Sequence, residues 1–190
     1  PVSPTRLEAW VSCPHGWFMR YVLGLQPVEQ PDEQMQITPR DRGTLVHAAL
    51  DQFHRQVIDG LLPQPGPDGW GAQHLEALLA AFQEQAGQLE QEGATGRAAF
   101  WRSEQSRQRY ELATWLQHDS VFVAGRHAQV IASEHRFGSG GTPPAVIELP
   151  DGTVVRLAGS VDRIDRCDDG TLVVTDHKTG GADSFRDITD

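Results

Sequence analysis

Lysine is almost missing from this chain. Of its 16 basic residues all but one are arginine; the exception is Lys178. Arginine keeps its proton in proteins, whereas lysine is a compact, movable point charge, so a position that holds lysine against this bias is a candidate for chemistry. Cysteine is nearly as scarce. Cys13 and Cys167 alone make no disulfide framework, and a reducing compartment such as the cytoplasm is the expectation. No apolar run approaches the ~20 residues a membrane helix needs, so no membrane partner is expected. The opening Pro1-Val2-Ser3-Pro4-Thr5 has no initiator methionine, basic start or apolar stretch. It does not read as a signal peptide, and it suggests a piece of a longer chain. Positive charge is also lacking: the net charge is -10, and no third of the chain has more basic than acidic residues. Nucleic-acid affinity comes largely from Lys and Arg on phosphates. Either the partner is not nucleic acid, or some acids are metal ligands and other parts of a larger machine hold the strand.

What is present has the size of one soluble domain with a helical insert: 190 residues, 38% hydrophobic and 22% charged. Thr5-x-x-Glu8 matches a capping box for a first helix with Leu7, Trp10 and Val11 on one face. Pro14 suits the first turn of a second, with Trp17, Phe18, Tyr21 and Val22 turned inward. Residues 26–41 are polar and proline-bearing and read as a loop. From Thr44 to about Ile58, Leu45, Val46, Ala49, Leu50, Phe53 and Val57 recur at helical spacing. His47 and His54 share one flank of that helix, His54 facing solvent. The breaker Pro63–Gly69 separates this region from helices predicted over 72–92 and 97–118, marked by Leu75, Leu78, Phe82 and Leu89, then Trp101, Tyr110 and Trp115. From Ala128 the period becomes strand-like, with strands expected near 128–137, 145–149, 153–166 and 171–178. Asp151-Gly152 and Asp168-Asp169-Gly170 supply hairpin turns. Helices followed by a meander make an α+β pattern. The expected domain is 1–190, with N-terminal helices over 1–60, a helical insert over 61–127 and the β-meander over 128–190.

The last hairpin carries the chemistry. With a three-residue Asp168-Asp169-Gly170 loop, Cys167 pairs with Thr171 and Asp162 faces Asp176, Cβ atoms roughly 4.5–5.5 Å apart. Lys178, two residues on, points to the same face. Two bare carboxylates this close repel unless a cation sits between them, and a hard divalent ion with oxygen ligands is the natural one. A one-residue slip would turn Asp162 to the opposite face. A surface charge cluster on a sheet edge is the alternative.

These residues resemble a family. Gly159-Ser160-Val161-Asp162-Arg163-Ile164-Asp165, followed by Val174-Thr175-Asp176-His177-Lys178-Thr179-Gly180, looks like the RecB/AddB-type branch of the PD-(D/E)xK nucleases. Gly43-Thr44-Leu45-Val46-His47 resembles that branch's Gly-x-x-x-His helix motif. Ser3-Pro4-Thr5-Arg6-Leu7, Cys13-Pro14 and Tyr21-Val22-Leu23-Gly24-Leu25 resemble its N-terminal helix. The likeness implies a restriction-endonuclease-like antiparallel or mixed sheet core, preceded by helices with a two-helix insert. It implies Mg2+ or Mn2+ held by His47, Asp162, Asp176 and the main-chain carbonyl of His177. Asp162, Asp176 and Lys178 would be catalytic, Lys178 orienting or activating the attacking water or stabilising charge on the phosphate. Glu134 would be an auxiliary acid. Two family features are missing before Asp190: a Gln-x-x-x-Tyr helix after the lysine, and the three cysteines that join the counterpart of Cys13 in holding a [4Fe-4S] cluster. Such a cluster is therefore expected only in a longer parent chain.

The implied function is metal-dependent hydrolysis of DNA phosphodiesters, most naturally exonucleolytic, in a bacterial repair or recombination helicase–nuclease. A helicase domain or subunit would do the gripping that an acidic surface cannot. A catalytically inactive nuclease-fold module that guides the strand is the alternative, and a small phosphate-ester hydrolase a third reading. Cys13, His15, Cys167 and His177 lack zinc-site spacing.

Overall fold

The computed structural model describes residues 1–26 and 35–179, which fall into two compact units. Unit 1 comprises residues 1–31 and 134–161, and unit 2 comprises residues 32–133 and 162–190. Most of the predicted 26–41 loop and Gly180 of the last motif lie outside the described residues.

Unit 1 opens with α1 (Pro4–Ser12) and α2 (Pro14–Trp17), which runs into a π-helical turn, Phe18–Val22. Ser3, not Thr5, caps α1. Its hydroxyl accepts the Arg6 N–H at 3.3 Å, and Pro4 occupies the first turn, where a missing N–H costs nothing. The inward face expected of Phe18 and Val22 does not form, and both are exposed. A π-helical turn advances by a smaller angle per residue than an α-helix, so an apolar face laid out at α-helical spacing does not stay aligned through it. Trp17 and Tyr21 instead gather around the Arg6 guanidinium, at 5.7 and 4.9 Å from the ring centroids.

The predicted 153–166 strand is two strands, β3 (Val154–Leu157) and β4 (Gly159–Arg166). Val2 interrupts them: its N–H donates to Arg156, and its carbonyl accepts from Ala158 at 3.1 Å, a parallel bridge to Leu157. β2 (Ala145–Glu148) pairs antiparallel with β3 through the expected Asp151-Gly152 turn, where Gly152 takes a positive φ of 81°. Among the described residues of unit 1 none is fully buried.

Unit 2 holds the hydrophobic core. Here α3 (Pro39–Ile58) starts five residues before the predicted Thr44. Thr38 accepts the Asp41 N–H at 3.0 Å and donates to its carboxylate at 2.7 Å, and Pro39 fits the first turn. Leu45, Ala49, Leu50, Phe53 and Val57 bury one face of α3 as expected. They meet Leu78 and Phe82 of α4 (Ala72–Gln91) and Trp101, Leu112 and Leu116 of α5 (Ala98–Arg126). α4 is capped by a side chain that periodicity does not reveal. His74 Nδ1 accepts the Gly71 N–H at 2.9 Å while its other ring nitrogen meets the Pro63 carbonyl. α5 runs eight residues past its expected end, to Arg126, and stops at left-handed His127. Tyr110, expected on its apolar face, is exposed.

β4 lies between β1 (Gln129–Phe137) and β5 (Leu172–Thr175) in a three-stranded sheet ordered β1-β4-β5. β2–β3 and β4–β5 are hairpins, but β1 neighbours β4 rather than β2, so the strands do not form a simple meander. The β4–β5 hairpin has the expected register. Cys167 N donates to Thr171 O at 2.9 Å, Gly170 sits at φ 83°, and the ladder runs from Arg166↔Leu172 to Arg163↔Thr175.

Candidate active site

One pair further along that ladder, Asp162 would oppose Asp176, but β5 ends at Thr175. The chain there turns its N–H groups to another use. The His177 amide donates to Asp162 Oδ2 at 2.5 Å, a charge-assisted bond that replaces the next ladder rung. The other oxygen of the same carboxylate, Oδ1, lies 3.6 Å from His47 Nδ1. Asp162 is therefore shared between α3 and the segment after β5, with its side chain only 12% exposed. Asp176 and Lys178 form a second pair at 2.6 Å, both more than half exposed.

Gly43 explains how the 176–179 segment approaches α3. It stands one turn before His47 on the same helix face, and a Cβ there would lie 3.2 Å from Thr179 Oγ1. The Gly-x-x-x-His spacing thus puts a passage for the chain and an imidazole on one stripe. A cleft of about 630 Å3 borders this segment, with Arg42 and Val46 of α3 on one wall and Arg107 and Trp115 of α5 on the other. Asp176 and Lys178 line it too.

The site has a buried back. Arg163, adjacent to Asp162, points to the opposite face of β4 with its side chain 1% exposed. Its guanidinium grips Asp119 of α5 with two bonds of 2.8 Å and donates to Asp165 at 2.8 Å. Asp119 also accepts the Trp70 indole N–H at 2.7 Å. Burial pulls the Arg163 pKa down, but Asp119 and Asp165 outweigh it and the net shift is upward. Burial raises the carboxyl pKa of Asp165, against the opposing pull of Arg163. The Arg163 guanidinium lies 5.9 Å from the Trp115 ring, and Trp115 meets the His177 ring edge-on at 5.3 Å. His177 stacks on His54 at 5.8 Å and 19°.

His54 is not solvent-facing as expected; it is fully buried. α5 and the 177 segment both cover that flank of α3, which no period within α3 can reveal. Burial first, then Arg163 and His177, lowers its pKa well below the usual value. His177 is pushed down to about 4 by burial and by Arg163, with Asp162 opposing. Both imidazoles are neutral at neutral pH, and both ring nitrogens of His54 and Nε2 of His177 have no hydrogen-bond partner.

The remaining sequence-predicted residues lie in unit 1. Glu134 sits on β1 with an unusual φ of 44°, which breaks the strand's pleat, and accepts the Ser160 hydroxyl at 3.2 Å. Cys13 is exposed, and its Sγ accepts the Gly16 N–H at 3.3 Å to cap α2.

The family model of the PD-(D/E)XK nuclease superfamily matches residues 1–189. The chain belongs to this superfamily. The PD-(D/E)XK fold accounts for the α+β arrangement of helices preceding antiparallel strands. Curated relatives are named as a subunit of an ATP-dependent helicase/deoxyribonuclease, the AddB type. The relative from Acetivibrio thermocellus is 30% identical over 195 residues, covering 95% of this chain and 16% of its own length. Those from Ruminiclostridium cellulolyticum and Lacticaseibacillus paracasei are 29% and 31% identical, covering 94% of the chain and 15% of their own lengths. The chain thus spans about a sixth of the relatives it matches. As an AddB-like PD-(D/E)XK nuclease domain, it places its strand motif on β4 and the segment after β5. Its helix motif lies on α3.

Sequence reasoning missed Arg163, Asp119, Trp115 and the burial of His54. One signal was present. Arg163 and Asp165 are two apart on β4, so strand alternation puts both on the face opposite Asp162.

Proposed function

We propose that this chain is a divalent-metal-dependent deoxyribonuclease domain that hydrolyses DNA phosphodiesters, acting from an end within a helicase–nuclease of the bacterial cytoplasm. The observation that carries the reading is the arrangement at Asp162: one oxygen held by the His177 N–H, the other turned toward His47. That leaves an imidazole nitrogen and a fixed carboxylate oxygen 3.6 Å apart, a donor set that fits a divalent cation. His47, Asp162, Asp176 and the His177 carbonyl would hold Mg2+ or Mn2+. The metal, when bound, would polarise the phosphodiester and lower the pKa of a water.

The protein's own groups do the rest. Lys178, beside Asp176, is placed to donate to the attacking water or to a phosphate oxygen as charge builds there. The Asp162–His177 bond fixes the start of the segment that carries Lys178. The bordering cleft has the size of a small-molecule site and an arginine on each wall, which suits a nucleotide rather than a duplex. A helicase partner would feed the strand, in keeping with the net charge of -10.

Incubation of the whole protein with linear single- and double-stranded DNA, with and without Mg2+ or Mn2+, tests the reading. Cleavage that needs the metal is expected. Lys178→Ala should abolish it while sparing metal binding, and Asp176→Ala should weaken both. Metal-independent behaviour, or full activity of Lys178→Ala, would overturn the assignment; DNA binding without cleavage would instead identify an inactive strand-guiding module.

A further inference from the structure

The buried Arg163 guanidinium touches no cleft and no proposed ligand, yet it is tied to the site by an unbroken chain of contacts. It is bound twice to Asp119 at 2.8 Å and once to Asp165 at 2.8 Å, and it lies 5.9 Å from the Trp115 ring. Trp115 stands edge-on against His177, whose backbone N–H closes on Asp162. We infer that Arg163 is a positioning residue. Together with Asp119 and Trp115 it locks the peptide of His177, and through it the carboxylate of Asp162, in the geometry that binds the cation.

Two physical points carry this. First, β5 ends at Thr175, so the 176–178 segment has no further ladder pairing with β4 to hold it. It depends on the Asp162 bond and on the packing of the His177 ring. That ring makes no hydrogen bond through Nε2, so its orientation is set by the rings around it: Trp115 on its edge and His54 on its face. Second, Arg163 offers a planar fork that meets Asp119 with two parallel bonds, so it fixes the angle between β4 and α5 as well as their separation. α5 carries both Asp119 and Trp115, one turn apart on the same face, so the fork that sets Asp119 also sets Trp115. A lysine at 163 would keep the charge and lose that angular control. A structural ion pair alone would need only the charge.

The inference rests on the nuclease reading for its consequence, but its first test does not. Hydrogen exchange of the whole protein would be compared for wild type, Arg163→Lys, Trp115→Leu and Trp115→Phe, following the peptide that spans 176–178. Arg163→Lys and Trp115→Leu should exchange there at least tenfold faster than wild type, with the peptides of α3 and α4 unchanged; Trp115→Phe, which restores a ring, should recover most of the protection. In parallel, Mn2+ titration of each protein should show weaker binding by about tenfold in Arg163→Lys. Its kcat for DNA should fall similarly, with KM within twofold. Equal protection of 176–178 in wild type and Arg163→Lys overturns the inference. So does loosening spread evenly over all helices, the mark of a merely stabilising pair. If wild type neither binds Mn2+ nor cleaves DNA, the nuclease reading fails, and the exchange result still decides whether Arg163 holds the segment.

Discussion

Acid should destabilise this fold well before its carboxylates are protonated. His177 is buried with a pKa of about 4, against about 6.5 for a free imidazole. Because the folded value is the lower one, the unfolded chain takes up the proton first. The stability tied to the neutral ring is therefore complete above about pH 6.5 and is lost as pH falls toward 4. Two and a half units correspond to about 3 kcal/mol in full, and about 2 kcal/mol of it is gone by pH 5. His54, shifted in the same direction, adds to the loss. Urea unfolding of this chain, followed by the fluorescence of the core tryptophans Trp70, Trp101 and Trp115, reports on this unit. At a slope of about 2 kcal/mol per molar, a 2 kcal/mol loss moves the midpoint by about 1 M between pH 7 and pH 5. His177→Asn should flatten that dependence. A midpoint that is level between pH 7 and pH 5 in the wild type, or equally steep in His177→Asn, would refute the burial argument.

Two further changes test the geometry around the site. Gly43→Val should place branched methyls where Thr179 Oγ1 already stands 3.2 Å from a Cβ position, displacing the 176–179 segment. DNA cleavage should fall at least tenfold while helicity by circular dichroism is retained. Gly170→Ala forces a side chain into φ 83° at the β4–β5 turn and should cost about 1 kcal/mol. This would appear as a lower urea midpoint with the metal affinity kept.

The hairpin that carries the site was legible because its information is local. Asp168-Asp169-Gly170 names its own turn, and counting back from it sets the register as far as Arg163↔Thr175. The core of α3 was legible from spacing for the same reason, as Leu45, Ala49, Leu50, Phe53 and Val57 all lie on the expected face. What escaped depends on partners distant in the chain. Arg163 is buried because Asp119, 44 residues earlier, waits for it, and no pattern within β4 names that partner. His54 is buried by Trp115 and His177, neither of which belongs to its helix. The end of β5 at Thr175 was hidden because Asp162 takes the His177 N–H, a side chain replacing a main-chain partner. The split at Ala158 was hidden because Val2 comes from the far end of the chain to cause it.

On β4, neighbouring residues answer to different demands. Asp162 faces the proposed chemistry, while Arg163 and Asp165 anchor the interior on the reverse side. A random-mutagenesis screen for dead nuclease would therefore recover hits at adjacent codons for unrelated reasons. Substitutions at 162 should leave soluble, well-expressed protein, whereas disruptive ones at 163 or 165 should deplete it from the cell. Measuring abundance beside activity at each position would separate the two faces of a single strand.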